Sequence, residues 1–181
     1  LLDWLEKYTF PEEAKFKNLE YARKISSLTL DLCLKNGTTT MASFCSSSPT
    51  SVEVFFEEAK KRKMSVVAGK TCMDRNAPKD LTDNVKSSYH DSEKLIKKWH
   101  KNDRAVYAIS PRFAITSSPE QLESLGELWS KNPDCLIQTH LSEQKEEIDW
   151  VKKLFPSSKS YLEVYDQFGL VNKRAIFGHA I

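Results

Sequence analysis

The chain has 181 residues, about the size of one domain, and 40% of them are hydrophobic and 29% charged. Its 27 basic and 25 acidic residues leave a net charge of +2 and are interspersed along the chain, which predicts no nucleic-acid or membrane partner. No stretch reaches the roughly 18 consecutive apolar residues of a membrane span, and no basic start typical of a secretory signal is present. We therefore expect one soluble globular segment.

The four cysteines are widely separated along the chain, at Cys33, Cys45, Cys72 and Cys135. This usage predicts reduced thiols and a cytoplasmic location. The sequence contains no Cys-x-x-Cys pair. It therefore does not belong to the zinc deaminases that carry a His-x-Glu and Pro-Cys-x-x-Cys signature.

Helical and strand patterns alternate along the sequence. Amphipathic periodicity predicts helices over residues 12–35, 51–61, 92–101, 118–131 and 144–154. Short β-prone runs predict strands over residues 38–42, 65–68, 105–109, 135–139 and 174–177. Most of these runs are continuously apolar, which is typical of strands covered on both faces. The pattern predicts an α/β fold, a parallel sheet of about five strands wrapped by outer helices.

The fourth helix has the clearest start. Ser118 is the expected N-cap, Pro119 the first helical residue, and Gln121 the side chain that completes a capping box. The longest stretch without predicted structure, residues 70–91, is interpreted as a functional or covering loop. Within it, Asp74 and Asn76 are expected to order the loop by side-chain to backbone hydrogen bonds.

Chemically distinctive residues follow every predicted strand. Because the carboxyl ends of parallel strands meet at one edge, these residues can converge there; they are Phe44, Cys45, Lys70, Arg112, Phe113, His140, Glu143 and His179. A closed (β/α)8 barrel has eight strands and typically about 250 residues. The sequence is therefore either an open five-stranded α/β domain or the middle part of a larger barrel.

His140 and Glu143 are the first candidates for catalysis. A neutral imidazole at a strand end can ligate zinc, and a carboxylate three residues later can exchange protons with a water that the metal activates. The alternative is that His140 bonds a neighbouring strand and Glu143 complements the next helix N-terminus. His179 occupies the equivalent place one strand later and favours the metal interpretation. His90 and His100 are interpreted as surface residues.

Arg112 and Phe113 are the candidates for substrate binding. Pro111 restricts the turn before them, a guanidinium offers a planar fork of donors for carbonyl or phosphate oxygens, and a phenyl ring can stack on a flat heterocycle. The alternative is a surface arginine beside a core phenylalanine. The sequence has no glycine-rich phosphate loop and no Gly-x-Ser-x-Gly turn of a serine hydrolase.

The sequence as a whole resembles the guanine deaminase family of the amidohydrolase superfamily, which comprises zinc-dependent (β/α)8 barrels. The resemblance rests on seven segments: LDWL (2–5), YTFPE (8–12), NGTTT (36–40), MDRNAP (73–78), PRF (111–113), QTHLSE (138–143) and FGHA (177–180). The GTTT and His-x-x-Glu elements occur across the superfamily. The YTFPE and Met-Asp-x-Asn elements are those that narrow the resemblance to guanine deaminases.

The resemblance implies roles for five residues. His140 would ligate zinc, and Glu143 would carry a proton from water to the purine ring and the leaving amino group. Arg112 would bind the ring carbonyl of guanine and Phe113 would pack against the ring, and His140 and Glu143 would contact the substrate as well. His179 would orient the attacking water. The implied reaction converts guanine and water to xanthine and ammonia.

The same resemblance implies elements that the sequence lacks. Family members carry a His-x-His pair after the first barrel strand and a metal-binding aspartate after the last strand. Residues 1–181 are accordingly expected to be one segment of a catalytic domain, active only in the complete chain, as a cytoplasmic homodimer. Two alternatives remain: a related amidohydrolase that acts on another aminated or halogenated heterocycle, and a truncated, non-catalytic chain.

Overall fold

A computed structural model describes residues 2–181. The first part is an irregular helical segment, made of α1 (Leu2–Trp4), a π-helical turn (Leu5–Thr9), α2 (Phe10–Ala14) and a 3₁₀ turn (Lys15–Lys17). The remaining helices are α3 (Leu19–Lys35), α4 (Pro49–Lys61), α5 (Val85–Trp99), α6 (Pro119–Lys131), α7 (Lys145–Leu154) and α8 (Tyr161–Asp166). The strands are β1 (Thr40–Phe44), β2 (Ser65–Gly69), β3 (Thr71–Cys72), β4 (Ala105–Pro111), β5 (Leu136–Leu141) and β6 (Ala175–His179).

All strand pairs are parallel, and the strand order follows the chain. The order is β1-β2-β4-β5-β6, with the short β3 pairing with β4 beyond the end of β2. A doubly wound sheet reverses its strand order at a switch point, whereas a barrel adds each new strand on the same side. The order therefore decides between the two predicted architectures in favour of a barrel sector.

The side chain of Gln138 shows how strongly this sheet curves. Its Nε2 donates to Ser110 Oγ on the neighbouring strand at 3.0 Å and also to the carbonyl oxygen of Ser43 on β1 at 3.0 Å. In a flat sheet β1 and β5 would be three strand spacings, roughly 14 Å, apart. A single side chain joins them here because the sheet bends around Gln138. This residue and His140, two positions later, share the concave face.

The helices and the other face of the sheet form the hydrophobic core. Residues from helices and strands belong to one buried cluster, among them Phe56, Leu95, Leu125, Val66, Tyr107 and Ile137. Gly69 allows β2 and β4 to approach closely, since a Cβ at this position would lie 1.8 Å from the carbonyl oxygen of Ala108. The described part of the chain contains no helix long and apolar enough to span a membrane.

The five predicted strands are all present; each begins at its predicted start or one to two residues after it, and all end later than predicted. β5 reaches Leu141 and β6 reaches His179, so both histidines are strand residues rather than loop residues. The predicted helix over 12–35 is wrong in its continuity. Asn18 has an extended backbone and its side chain accepts a hydrogen bond from the Tyr21 amide at 2.9 Å, which ends the first helical segment and begins α3.

The segment predicted as a loop over 70–91 contains β3 and the first half of α5. The N-cap is Asn84, which forms a reciprocal capping box with Ser87. His90 therefore lies on a helix, exposed, and not in a loop. The two ends of the remaining loop are joined by a buried ion pair. Lys70 has no exposed surface and pairs with Asp83.

The start of α6 matches its prediction except for one side chain. Ser118 accepts a hydrogen bond from the Gln121 amide at 3.1 Å, and Pro119 follows it. The Gln121 side chain turns away and donates to Ser88 Oγ at 2.9 Å. Asp74 takes the capping role predicted for Gln121, since Asp74 Oδ1 accepts a hydrogen bond from the Ser118 amide at 2.7 Å. Asn76 Nδ2 donates to the carbonyl of Ile115 at 2.9 Å, so both loop residues form the predicted kind of bond.

Candidate active site

The five residues predicted to form a site meet in one cavity. Arg112 and Phe113 directly follow β4, His140 lies near the end of β5, Glu143 follows β5, and His179 is the last residue of β6. All five line a cavity of about 290 Å³, together with Trp4 and Leu5 of the N-terminal helical segment. The parallel order brings these ends to one edge, as expected from the sequence.

The hydrogen bonding of His140 determines which ring nitrogen is available. Its Nδ1 lies 2.8 Å from the carbonyl oxygen of Arg112. A carbonyl can only accept, so Nδ1 carries the proton and Nε2 keeps its lone pair. This arrangement, a backbone carbonyl behind the ring and a free Nε2 in front, is the one found for histidine metal ligands. The predicted bond from His140 to a neighbouring strand therefore exists, and it supports rather than replaces ligation.

The surroundings of His140 keep its ring uncharged and fixed. Burial lowers the pKa of His140, which favours the neutral imidazole that a metal requires. The Phe44 ring lies 4.4 Å from the imidazole, centroid to centroid, and the His179 ring lies 5.7 Å away in a stacked arrangement. Phe44 belongs to β1 and reaches His140 across the curved sheet. The contact between Phe44 and His140 is a packing contact between the two rings.

Behind His140, a buried tyrosine holds the strand end in place. The Tyr165 hydroxyl donates to the carbonyl oxygen of His140 at 2.8 Å and accepts from the Ala114 amide at 3.0 Å. Thr139 Oγ1 lies 3.1 Å from the same hydroxyl. Tyr165 has no exposed surface, so these bonds form away from water. One side chain of α8 thus joins the end of β5 to the turn after β4.

Glu143 faces His179 rather than the helix that follows it. Its Oε2 lies 3.4 Å from His179 Nε2, and the two side chains are 27% and 39% exposed. The capping of α7 is carried out by Gln144 and Glu147, which form a reciprocal capping box. The Glu147 carboxylate also accepts from the Glu143 amide at 2.9 Å. The capping hydrogen bonds of α7 thus do not involve the Glu143 carboxylate, which faces His179 instead.

Two residues with left-handed backbone lie at or beside these side chains. Ser142, between His140 and Glu143, has a φ of 51°, and His179 has a φ of 67°. Left-handed backbone in residues other than glycine is sparsely populated and clusters at functional sites. Glu147 is fully buried, and its other carboxylate oxygen accepts a hydrogen bond from the Tyr161 hydroxyl at 2.7 Å. Because the same carboxylate accepts from the Glu143 amide, it holds the turn around Ser142 in place.

Arg112 is held by groups from the N-terminal helical segment. Its Nη1 donates to both carboxylate oxygens of Glu13, at 2.7 and 2.8 Å, and its guanidinium carbon lies 5.2 Å from the centre of the Phe10 ring. The Arg112 side chain is 12% exposed. Phe113 is 4% exposed and still lines the cavity. The alternative of a surface arginine is therefore wrong.

A second cavity adjoins the first one and shares Arg112 and His140 with it. It has a volume of about 300 Å³ and extends between the N-terminal helical segment, α3 and the end of β1. Glu13, Phe44 and Cys45 are among its lining residues. Burial raises the pKa of the Cys45 thiol to about 12, so this cysteine stays protonated at neutral pH.

A different group of potential ligands lies at the opposite edge of the sheet. Among the described residues, His100, Asp134 and Cys135 place one donor atom each within 4.8 Å of one another. The Tyr107 amide donates to His100 Nδ1 at 3.2 Å, which leaves the proton of a neutral ring on Nε2. That nitrogen faces Asp134 Oδ2 at 3.4 Å and has no lone pair for a metal. Burial also raises the pKa of Cys135 to about 12. With its proton on Nε2, His100 offers no lone pair to a metal beside Asp134 and Cys135.

His100 therefore corrects the prediction that it is a surface residue. Its side chain is only 8% exposed because it fills the space between the end of α5 and the start of β4. The sequence around it, with Lys97, Lys98 and Lys101, is typical of a solvated helix end. Only Trp99, which is 5% exposed, signals that this end of the helix is packed.

Several side chains of the site were not identified from the sequence alone. Glu13 and Phe10 lie in the YTFPE region but more than 95 positions from Arg112, and no local signal pairs them with it. Tyr161, Tyr165 and Glu147 have the periodicity of ordinary helix residues. Their role depends on the packing of α7 and α8 against the ends of the strands, which no local pattern reports.

Comparison with known proteins agrees with this architecture. Guanine deaminase of Escherichia coli K12 is 50% identical over 181 residues, which are 100% of this chain and 41% of that protein. Guanine deaminase of Dictyostelium discoideum is 39% identical over 183 aligned residues, covering 100% of this chain and 40% of that protein. The chain thus spans about two fifths of the length of these relatives, which bear out the guanine deaminase resemblance.

Solved structures bear out the barrel. The E. coli guanine deaminase structure has a TM-score of 0.96 at 50% identity, over 98% of this chain and 41% of that one. Guanine deaminase from C. acetobutylicum with bound guanine in the active site has a TM-score of 0.96 at 40% identity, over 100% and 43%. A zinc complex of atrazine chlorohydrolase from Arthrobacter aurescens TC1 has a TM-score of 0.86 at 16% identity, over 98% and 42%, and shows the shared fold.

The family model agrees with both comparisons. The model described as the amidohydrolase family matches residues 1–181. The described parallel strands are the corresponding part of the (β/α)8 barrel, as the family resemblance implied, with the short β3 added to the five predicted strands. The chain belongs to the amidohydrolase family.

Proposed function

We propose that the complete gene product hydrolyses guanine to xanthine and ammonia, with zinc as its metal. The observation that carries this proposal is the convergence of a planar-ring recognition pair, Arg112 and Phe113, with His140, Glu143 and His179 in one cavity. The identity to guanine deaminases over the whole chain supports the same substrate.

Recognition of guanine rests on the residues after β4. The Arg112 guanidinium donates to the ring carbonyl, and the Phe113 ring packs against the purine face. Both follow Pro111, which pairs with Cys72 of β3, so the turn that carries them is part of the sheet. A purine bound there lies beside His140, since both cavities are lined by His140 and Arg112.

His140 would hold the metal through Nε2, which its bond to the Arg112 carbonyl leaves free. Zinc, when bound, supplies Lewis-acid activation of water at neutral pH. A catalytic zinc has at least three protein ligands. We assign the others to the portion of the guanine deaminases that residues 1–181 do not span.

Glu143 is the proposed proton shuttle. Its carboxylate takes a proton from the attacking water and delivers it to the purine ring, and the next proton goes to the leaving amino group. The water oxygen bonds to the carbon that carries the amino group, the bond from that carbon to nitrogen breaks, and ammonia leaves. His179, 3.4 Å from the Glu143 carboxylate, orients the water for this attack. A general acid and base of this kind contributes about 10²–10⁴-fold to the rate.

The first test measures xanthine formation from guanine by the purified complete gene product, with zinc counted in the same sample. We expect turnover with about one zinc per chain. Substitution Glu143→Gln should keep the zinc and lose about 10²–10⁴-fold in kcat, because an amide cannot shuttle protons. Glu146→Gln, at an exposed position of α7, is the matched control and should behave as wild type.

The remaining alternatives are outcomes of the same experiment. Turnover of adenine, cytosine or a triazine in place of guanine would assign the site to a different heterocycle. A folded protein without zinc and without turnover of any of these compounds would contradict the enzyme proposal and favour a non-catalytic chain.

Cytoplasmic location and a homodimer belong to the same proposal. The four cysteines are all free thiols, which is the state expected in a reducing compartment. Light scattering of the complete gene product on a sizing column tests the dimer. A mass equal to one chain at micromolar concentration would contradict it.

A further inference from the structure

We propose that Glu13 is a positioning residue for substrate binding, acting through Arg112. The inference rests on the proposed function, because it concerns how Arg112 is presented to the purine carbonyl. Its starting point is that a flexible guanidinium must be fixed before it can discriminate a ring carbonyl at one place. The N-terminal helical segment supplies the groups that fix it.

The contact between Glu13 and Arg112 occupies one end of the guanidinium. Both carboxylate oxygens accept from Nη1, at 2.7 and 2.8 Å. Within residues 2–181, Nη2 and Nε of Arg112 donate no hydrogen bond. A guanidinium has five N–H donors in a fixed plane, so the Glu13 contact leaves three of them for a ligand.

Phe10 fixes the plane of the same guanidinium. Its ring centre lies 5.2 Å from the guanidinium carbon, and the ring is 5% exposed, so it cannot swing away. Glu13 itself is anchored, because its carbonyl oxygen accepts from Ser46 Oγ at 3.0 Å. The short helix α2 thus presents an aromatic face and a carboxylate to one arginine.

The charge of Glu13 matters as well as its position. Arg112 is 12% exposed and Glu13 is 19% exposed, so water screens their interaction weakly. The pair has no net charge, which suits a neutral ring carbonyl better than an anion. Without the carboxylate, Arg112 would be a charged group in a largely buried site and would move toward water.

The test compares Glu13→Gln with wild type in the complete gene product, by guanine kinetics. The substitution keeps the size of the side chain and removes its charge. We expect KM to rise roughly 10–100-fold, since charge-assisted hydrogen bonds are stronger than neutral ones. We expect kcat to change less than about threefold, because the proton transfers use Glu143. Glu12→Gln, on the same helix and 56% exposed, is the matched control.

A double-mutant cycle separates positioning from a general structural effect. In an Arg112→Ala background, Glu13→Gln should change KM by less than about twofold, because its effect passes through Arg112. An equal rise of KM in both backgrounds, or an unchanged KM in the single variant, would overturn the inference.

A crystal structure of the Glu13→Gln protein gives a result that does not depend on turnover. We expect the Arg112 guanidinium to leave the plane set by Phe10 or to occupy several positions. An Arg112 side chain that stays in place would overturn the inference even if the wild-type protein does not convert guanine. Failure of the wild-type protein to convert guanine would instead count against the proposed function.

Discussion

His140 and His100 lie at opposite edges of the same sheet and differ in which nitrogen the backbone leaves free. Both bond through Nδ1 to backbone groups in or directly after β4: His140 to the Arg112 carbonyl and His100 to the Tyr107 amide. The carbonyl accepts a hydrogen bond from Nδ1, which leaves the lone pair on Nε2, whereas the amide donates a hydrogen bond to Nδ1, which makes Nε2 the protonated nitrogen. Two mostly buried histidines thus have opposite capacities because one strand presents different groups at its two ends.

The same contrast distinguishes the candidate active site around His140 from the closely packed cluster around His100. The carboxyl edge has two adjoining cavities around His140 and Arg112. The amino edge has a histidine closed in by Asp134, Lys101 and Cys135. A cluster of ligand-type side chains is therefore insufficient evidence for a metal site, and the tautomer of each histidine decides.

The largest expected effect is that of His140→Ala in the complete gene product. Bound zinc should be lost and turnover should fall on the order of 10³-fold or more, since the metal supplies the activation of water. His90→Ala, at an exposed position of α5, is the control. Mass spectrometry measures the zinc content of both variants, and guanine kinetics measure their turnover. A His140→Ala protein that keeps its zinc would contradict the assignment of His140 as a metal ligand.

His100→Ala should show the opposite behaviour. Bound zinc should be unchanged, while the free energy of unfolding should fall by ~2–4 kcal/mol, because a buried ring is removed and the Tyr107 amide loses its acceptor. Urea denaturation and zinc analysis of the same preparation measure the two quantities. Loss of zinc without loss of stability would mean that the two edges were assigned the wrong way round.

Tyr165→Phe should have a smaller effect on stability. The substitution leaves the His140 carbonyl and the Ala114 amide with fewer partners in a buried place, which we expect to lower the free energy of unfolding by ~1–3 kcal/mol. Tyr89→Phe, whose hydroxyl contacts exposed Lys131, should change it by less than ~0.5 kcal/mol. Equal effects of the two substitutions in urea denaturation would show that the Tyr165 hydroxyl does not hold the strand end.

The smallest effect is expected for Asp134→Asn, and it should depend on pH. The hydrogen bond with Lys101 lowers the pKa of Asp134 from 3.8 to about 2. Because the folded-state pKa lies below the unfolded one, the stabilisation is present above pH 3.8 and is lost as the pH falls through about 2. Asp134 is 42% exposed and Lys101 66%, so solvent screening should keep the difference below ~1 kcal/mol.

Urea midpoints of wild type and Asp134→Asn between pH 2 and pH 5 test this sign, and the two curves should converge at the acid end. A gap that widens toward acid would contradict the assignment.

The strand-end residues could be found from the sequence because, in a parallel sheet, the residue that follows each strand always lies at the same edge. An apolar run followed by Arg112 or His140 predicts both the strand and the edge at which the side chain appears. The seven family segments added the assignment to a barrel of this kind. Strand ends were placed too early because His140 and Gly178 lack the apolar character used to detect strands.

Other features had no local signal. Residues 12–35 contain no glycine or proline to mark the break at Asn18, so the helix was predicted as continuous. Asp74 in place of Gln121 at the start of α6 joins residues 44 positions apart. A pattern read within one window cannot report a partner at that distance.

The amino-acid sequence by itself determined the α/β alternation, the parallel sheet and the side chains at its carboxyl edge, since these follow from local periodicity and from the order of elements. Only the tertiary structure decided the curvature that joins Gln138 to Ser43, the pairing of Arg112 with Glu13, and the tautomers of His140 and His100. The first two of these contacts and that of His140 join groups 28–99 positions apart, and that of His100 crosses the turn between α5 and β4. Local residue preferences do not encode which groups meet in this way.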